Sequence, residues 1–247
     1  MLWNGVKAEF LKSKGTALRK AHILVPILTA LAFGLYCSYS PWSGYNKLDA
    51  YYQTLGAAMP FLAGLFCAQL ADQEQAAGGF QSMLTLPRRI IAFFAKLILL
   101  LAFAFGALLL ASVLFGLWFS VGLHNDFVKM GFYLVAALMV WATSIPLYLF
   151  SLYVAMVWGK GPAILLGLAG SLVGALFLTG MGSGIWVYTP CSWPSRCIAV
   201  LLAVWLESAP AGELLQAMGI WLIVLLVGLC LYAVWANTWE GPKSLGE

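Results

Sequence analysis

Apolar residues in this chain gather into blocks of about twenty or more, divided by short polar breaks. A helix of that length crosses ~30 Å of hydrocarbon, so the pattern predicts six membrane spans. The first covers Ala21–Ser40 and stops at Pro41-Trp42-Ser43-Gly44, a turn carrying an interfacial aromatic. The second covers Tyr51–Ala71, with Pro60 as a kink. The third lies within Ile90–Val121. As one helix it would measure about 45 Å, so it must tilt or project beyond the bilayer. Lys96 near its start then projects into the cytoplasm or snorkels to the interface. The fourth is Gly131–Trp158, with Pro146 inside, followed by the break Gly159-Lys160-Gly161-Pro162. The fifth is Pro162–Met181, where Gly170 and Gly174 have small-xxx-small spacing. The sixth is Leu214–Asn237.

Between the last two spans the pattern loosens at Gly180, Gly182 and Gly184, and aromatics and prolines then crowd together. Ile198–Leu206 is apolar but too short to cross, which predicts a re-entrant or interfacial segment. A seventh span starting there is the competing count, and Glu207, Pro210 and Glu213 argue against it. The fold class expected is therefore all-α: a polytopic membrane protein of six transmembrane helices, occupying residues 1–247 as a single domain.

Two flanking segments have patterns of their own. Residues 1–20 read as an amphipathic interfacial helix, with Leu2, Trp3, Val6 and Phe10 on one side. Asn4 and Lys12 lie opposite, with Lys7 and Lys14 beside the apolar face; an ordinary basic flank is the alternative. Residues 72–89 begin at Asp72, and Gln73–Ala77 are good or fair helix formers. They continue with an apolar edge, Phe80, Met83, Leu84 and Leu86, and stop at Pro87 before Arg88 and Arg89. A short helix parallel to the membrane would suit docking of a cytoplasmic partner; a solvated loop is the alternative. Residues 182–213 form the corresponding extracytoplasmic segment.

Charge fixes an orientation. Only 9% of residues are charged and 63% are hydrophobic, which leaves no polar stretch long enough for a soluble domain. With the N-terminus inside, Lys7, Lys12, Lys14, Arg19, Lys20, Arg88, Arg89, Lys96, Lys160 and Lys243 are cytoplasmic. Lys47, Lys129 and Arg196 are outside. This bias follows the positive-inside rule, with both termini cytoplasmic. The net charge of +4 is a topological signal, not a nucleic-acid one. No cleavable signal peptide is expected, so the first span acts as a retained anchor.

Candidate chemistry is sparse. The two histidines, His22 and His124, are far apart, and no Cys/His spacing suggests a metal. Cys191 and Cys197 share one loop and are candidates for a bridge if it is extracytoplasmic. There is no H-E-x-x-H, Walker A or G-x-S-x-G sequence. With no acidic residue expected at mid-membrane, an ion-driven pump or intramembrane enzyme is disfavoured, and energy for any work must come from another subunit.

Glu74, Gly78, Leu84, Pro87, Arg88, Arg89 and Lys96, in that order before a long span, resemble the first coupling loop of ABC-2 type transporter permeases. Glu9, Phe10, Leu11 and Lys12 before the first span are similar to the interfacial helix of those permeases. Within that superfamily, the run Glu74–Gln81 and the Trp/Pro-rich Trp186–Arg196 resemble lantibiotic-immunity permeases of Gram-positive bacteria. The resemblance implies a cell-membrane location, a second permease, identical or related, and a dimer of a cytoplasmic ABC ATPase. This chain would hold no cofactor; ATP and Mg would bind the ATPase. It also implies that Asp72, Glu74, Gln75, Gly78, Phe80, Gln81 and Leu84 meet the ATPase, with Trp3, Glu9, Phe10 and Lys12 on the interfacial helix. The substrate implied is an antimicrobial peptide, with Trp186, Tyr188 and Trp193 as contacts. A membrane immunity protein acting without ATP, and an exporter of another amphiphile, are the alternatives.

Overall fold

A computed structural model describes residues 2–85, 88–125 and 127–241. Leu86, Pro87 and Lys243, invoked above, lie outside the described residues. The described residues form helices joined by turns, without strands. The helices are α1 (Leu2–Lys12), α2 (Ala17–Tyr39), α3 (Gly44–Ala76), α4 (Gln81–Leu84) and α5 (Arg89–Leu117). They continue as α6 (Met130–Trp158), α7 (Lys160–Leu176), α8 (Trp193–Trp205) and α9 (Gly212–Thr238). Among the described residues, five are long and apolar enough to span: α2, α3, α5 with its terminal π turn, α6 and α9. Helix α7, at 17 residues, is about 26 Å long and is the shorter sixth.

The polar breaks fall where expected, but several helices run past them. The amphipathic segment does not reach residue 20; it stops at Lys12, turns through Gly15 at φ +78°, and α2 begins at Ala17. Helix α3 starts seven residues before the expected span, capped by Ser43, whose Oγ accepts from the Asn46 N–H at 3.3 Å. It thereby carries Asp49 inside a spanning helix, where no acid was expected.

Helices α3 and α7 cross closely because glycine meets glycine. Ala163, Gly167, Gly170 and Gly174 make the buried stripe of α7, and a Cβ added at Gly64 would stand 2.5 Å from the Ala163 carbonyl oxygen. Close backbone approach of this kind is what holds apolar helices together in lipid, where burial alone gives little. At Pro60 the α3 ladder is interrupted, and the Phe61 N–H donates to Ser171 Oγ at 2.9 Å.

Beyond α7 the chain re-enters the bundle. The Trp186 N–H donates to Glu213 at the start of α9, while Cys191, five residues on, lies against Gly170 and Gly174 of α7. Helix α8 starts at mid-bundle, with the Pro194–Ser195 backbone where a Cβ on Gly56 would fall, and runs on to set Trp205 edge-on to Phe132 near the start of α6. At 13 residues α8 is too short to cross a bilayer, as the re-entrant or interfacial reading expects. Arg196 makes the turn possible: Nε donates to the Phe177 carbonyl at 2.6 Å and Nη2 to that of Thr179 at 2.9 Å. The Phe177 carbonyl, partly buried at the end of α7, is thereby given a donor, and that of Thr179 gains a second beside the Gly182 N–H. Cys191 and Cys197 are both unpaired, so the candidate bridge does not form.

Candidate functional site

The ends of α3, α5, α6, α7 and α9 meet α1 and the start of α2 at one end of the bundle. There α3 gives way to a turn with three successive left-handed residues: Gly78 (φ +132°), Gly79 (φ +59°) and Phe80 (φ +64°). Glycine takes such angles without steric cost, but phenylalanine does so only when its surroundings hold it. Phe80 is 3% exposed, its ring edge-on to Trp239 with centroids 5.5 Å apart. Trp239 packs in turn on Phe93 of α5, and its carbonyl accepts from Arg89 Nη1 at 2.5 Å. The turn is thus pinned to α5 and to the chain just past α9.

Just before the turn lies a four-membered ionic knot. Lys96 Nζ is 2.7 Å from Glu74 Oε1 and 3.0 Å from Glu9 Oε1. Lys12 Nζ bonds the same two oxygens at 3.1 and 3.2 Å. Two ammonium and two carboxylate groups sum to zero charge, which is the condition for burying them. Lys96 is fully buried; it neither projects nor snorkels, and this corrects the sequence expectation. Burial alone would lower the pKa of the half-exposed Lys12, but Glu9 and Glu74 outweigh it and hold the group above its usual value. Small residues admit α1 to the site: Gly5 lies over Ala95, where an added Cβ would come within 3.4 Å. Nearby, Lys160 Nζ pairs with Asp72 at 3.1 Å, joining the start of α7 to α3.

The coupling residues read from sequence divide into two sets. Glu74 and Phe80 are buried in contacts within the chain, and Leu84 is partly buried. Asp72, Gln75, Gly78 and Gln81 are exposed. The surface that a partner can reach is therefore Asp72 and Gln75–Gly79 with Gln81 and Thr85, without Glu74 or Phe80. On α1, Trp3 is 67% exposed and Phe10 37%, whereas Glu9 turns inward. Of the aromatics read as substrate contacts, only Tyr188 presents its ring outward. Trp186 Nε1 donates to Glu213 Oε1 at 2.6 Å, and Trp193 Nε1 donates to the Val187 carbonyl at 2.8 Å. Those two rings are buried and hold the re-entrant segment together. Sequence reasoning missed Lys96 as the centre of the knot and Trp239 as the anchor of the turn. A lysine inside an apolar run must find a carboxylate, which was the available signal for the first.

The turn is reachable from outside, and the knot beside it joins α1, α3 and α5. The family model described as ABC-2 family transporter protein matches residues 6–176, from Val6 in α1 to the end of α7. The match takes in all four residues of the knot and the turn. No curated protein matches the chain. Membership implies a role in membrane transport and an ABC ATPase as partner. With more than half of its length matched, on a bundle of spanning helices, the chain belongs to the ABC-2 family of transporter proteins as a multi-pass permease subunit.

Proposed function

We propose that this permease removes an amphipathic antimicrobial peptide of the lantibiotic kind from the membrane, as one of two permeases driven by a cytoplasmic dimer of ABC ATPases. The end bearing the knot faces the cytoplasm, with both termini on that side. Support comes from the basic residues, since Lys7, Lys14, Arg19, Lys20 and Arg88 crowd that end. The peptide reading rests on the resemblance of Glu74–Gln81 and Trp186–Arg196 to lantibiotic-immunity permeases, and Tyr188 is the exposed aromatic of the second segment.

The observation that carries the reading is the knot. The ATPase presses on Gln75–Gly79, Gln81 and Thr85. Glu74, one residue before that surface, is bonded to Lys96 and Lys12, so the push reaches α5 and α1 as well as α3. Glu74 and Phe80 serve by positioning the turn. The test is co-expression with the cognate ATPase in peptide-challenged cells. Gly78→Pro, which cannot hold φ +132°, should abolish protection and stimulated ATP hydrolysis while the chain still inserts. Full protection by the chain alone, or unchanged stimulation in Gly78→Pro, would overturn the coupling. Equal protection without any change in peptide retained by the cells would overturn the substrate.

A further inference from the structure

Helix α9 is held to the bundle at its two ends. Its buried residues are Leu214, Ala217, Tyr232 and Ala236, and none lies between Met218 and Leu231. Along the second half of that stretch a groove separates α9 from α6. Gly228 lets the two helices touch at one point, since a Cβ added there would stand 2.9 Å from Leu149 Cδ2. Around this contact the groove opens to about 690 Å³ with an almost wholly apolar lining, and the exposed Phe150 and Leu231 stand in its walls.

The groove has the depth of one leaflet. It begins beside Pro146 and Val224, near the midpoints of α6 and α9, where Pro190 and Cys191 also line it. It finishes at Tyr153 and Trp235, within two turns of the polar ends of both helices. From Val224 to Trp235, α9 rises about 16 Å, and half of the hydrocarbon core is about 15 Å. The volume decides between occupants. An α-helix over that distance, ~10 Å across, needs about 1,250 Å³. A cavity of about 150 Å³ accepts benzene. By that measure this groove has room for roughly 25 carbons, more than one acyl chain needs to reach the middle of the bilayer.

Polar side chains in the lining are few. The Tyr232 hydroxyl is buried and takes no part, and the Cys191 thiol lies at the deep end against Gly170. At the shallow end the rings of Tyr153 and Trp235 pack edge-on, with centroids 4.9 Å apart. Tyr153 Oη and Trp235 Nε1 bond to none of the described residues, yet unlike Tyr232 Oη and Trp239 Nε1 they are not buried. Both can donate, at the depth where interfacial aromatics meet the ester carbonyls of lipids, which only accept.

We propose that the groove is a lipid site: one acyl chain of a phospholipid lies between α6 and α9, and its ester carbonyls accept from Trp235 Nε1 and Tyr153 Oη. The lipid covers the stretch of α9 that the protein leaves bare. The site needs neither the turn nor the ATPase, and both leaflets hold phospholipid, so it stands separately from the coupling and from the orientation.

The probe is dioleoyl phosphatidylglycerol, added to the delipidated full chain in detergent and followed by native mass spectrometry. One lipid per chain should bind in a saturable way. Dihexanoyl phosphatidylglycerol has the same headgroup and chains too short to reach Val224, and should bind at least about tenfold more weakly. Gly228→Phe and Val224→Trp fill the groove at two depths, and each should weaken binding of the dioleoyl lipid about tenfold or more. Gly219→Phe puts the same ring on α9 outside the groove, where nothing lies within 4 Å of an added Cβ, and should leave binding unchanged. Trp235→Phe keeps an aromatic ring without the donor and should weaken binding about fivefold, the equivalent of one hydrogen bond. Equal binding of the two lipids, undiminished binding in both filled variants, or an equal loss in Gly219→Phe would each overturn the proposal. So would a paired chain without lipid at saturating probe, as a second copy seated in the groove would give. Unchanged binding in Trp235→Phe would overturn the seating of the esters.

Discussion

Lys96 Nζ stands 2.7 Å from Glu74 Oε1, fixing the second turn of α5 to the last turn of α3. Neither residue is free to change alone. Lys96→Met removes the one fully buried cation among the described residues and leaves Glu9 and Glu74 to share the half-exposed Lys12. Breaking a buried pair from one side costs about 3–5 kcal/mol. The loss should appear as a lower midpoint in denaturant titration of the purified chain. Replacing both partners, Lys96→Met with Glu74→Leu, should recover part of it, because an apolar pair needs no compensation. An unchanged midpoint in the single variant would mean that the knot holds nothing.

Glycine contacts between α3 and α7 give a second, purely steric, expectation. A Cβ at Gly167 would lie 2.8 Å from the Pro60 carbonyl oxygen and 3.2 Å from Gly64 Cα. Backbone cannot step aside as a side-chain tip can, so Gly167→Ala should destabilise by about 1–3 kcal/mol. Gly106 on α5 has nothing within 4 Å of its added Cβ. Gly106→Ala should be neutral or slightly stabilising, as helix propensity favours alanine. The same unfolding measurement compares the two, and equal effects would contradict the close crossing.

These two contacts also show what a sequence reveals and what it hides. Length and apolar content place spans well, because the bilayer imposes one dimension on every helix. The ends of α6 and α9 accordingly fall within a residue or two of the expected Gly131–Trp158 and Leu214–Asn237. That Ile198–Leu206 belongs to a helix too short to span was legible for the same reason: nine apolar residues are too few. Partners distant in sequence were not legible. Glu9, Glu74 and Lys96 belong to three helices, and nothing local says that they converge. Glu74 was therefore read as facing a partner when the fold turns it inward. Phe80 was misjudged similarly, since an apolar residue in a polar loop looks like a docking edge until Trp239, far along the chain, covers it. Indole rings at Trp186 and Trp193 looked available for a substrate, yet each buried N–H had first to find an acceptor.

Lys12 supplies a pH expectation. Its two carboxylate neighbours, outweighing burial, raise its pKa in the folded chain. A group raised on folding contributes fully below its unfolded value, and the contribution is lost as pH rises through the folded one. The stability difference between the native chain and Lys12→Met should therefore stay flat on the alkaline side until pH exceeds the ordinary lysine value of about 10.4, and shrink only beyond it. Chemical denaturation at stepped alkaline pH measures this difference. A decline already at about pH 8, well below the ordinary lysine value, would mean that Lys12 is not held by the carboxylates.

Arg196 is the residue on which the re-entrant segment turns. Helix α7 ends with carbonyls that its own backbone leaves short of donors, and the Phe177 carbonyl is partly buried. Arg196 meets two carbonyls there, Phe177 and Thr179, with a charge-assisted donor for each. Arg196→Ala withdraws both donors while leaving α8 its helix-forming sequence, so the α7 end and the segment 180–192 should loosen before the rest of the bundle. Cys191 reports on this directly, because its thiol is seated against Gly170 and only partly accessible. In a chain whose other four cysteines are replaced, maleimide labelling of Cys191 should speed up about tenfold or more in Arg196→Ala, as expected when local opening becomes easier by one hydrogen-bonded contact. Arg196→Lys should fall between, since one ammonium cannot span both carbonyls as a planar guanidinium does. Labelling at the native rate in Arg196→Ala would show that α7 ends safely without it.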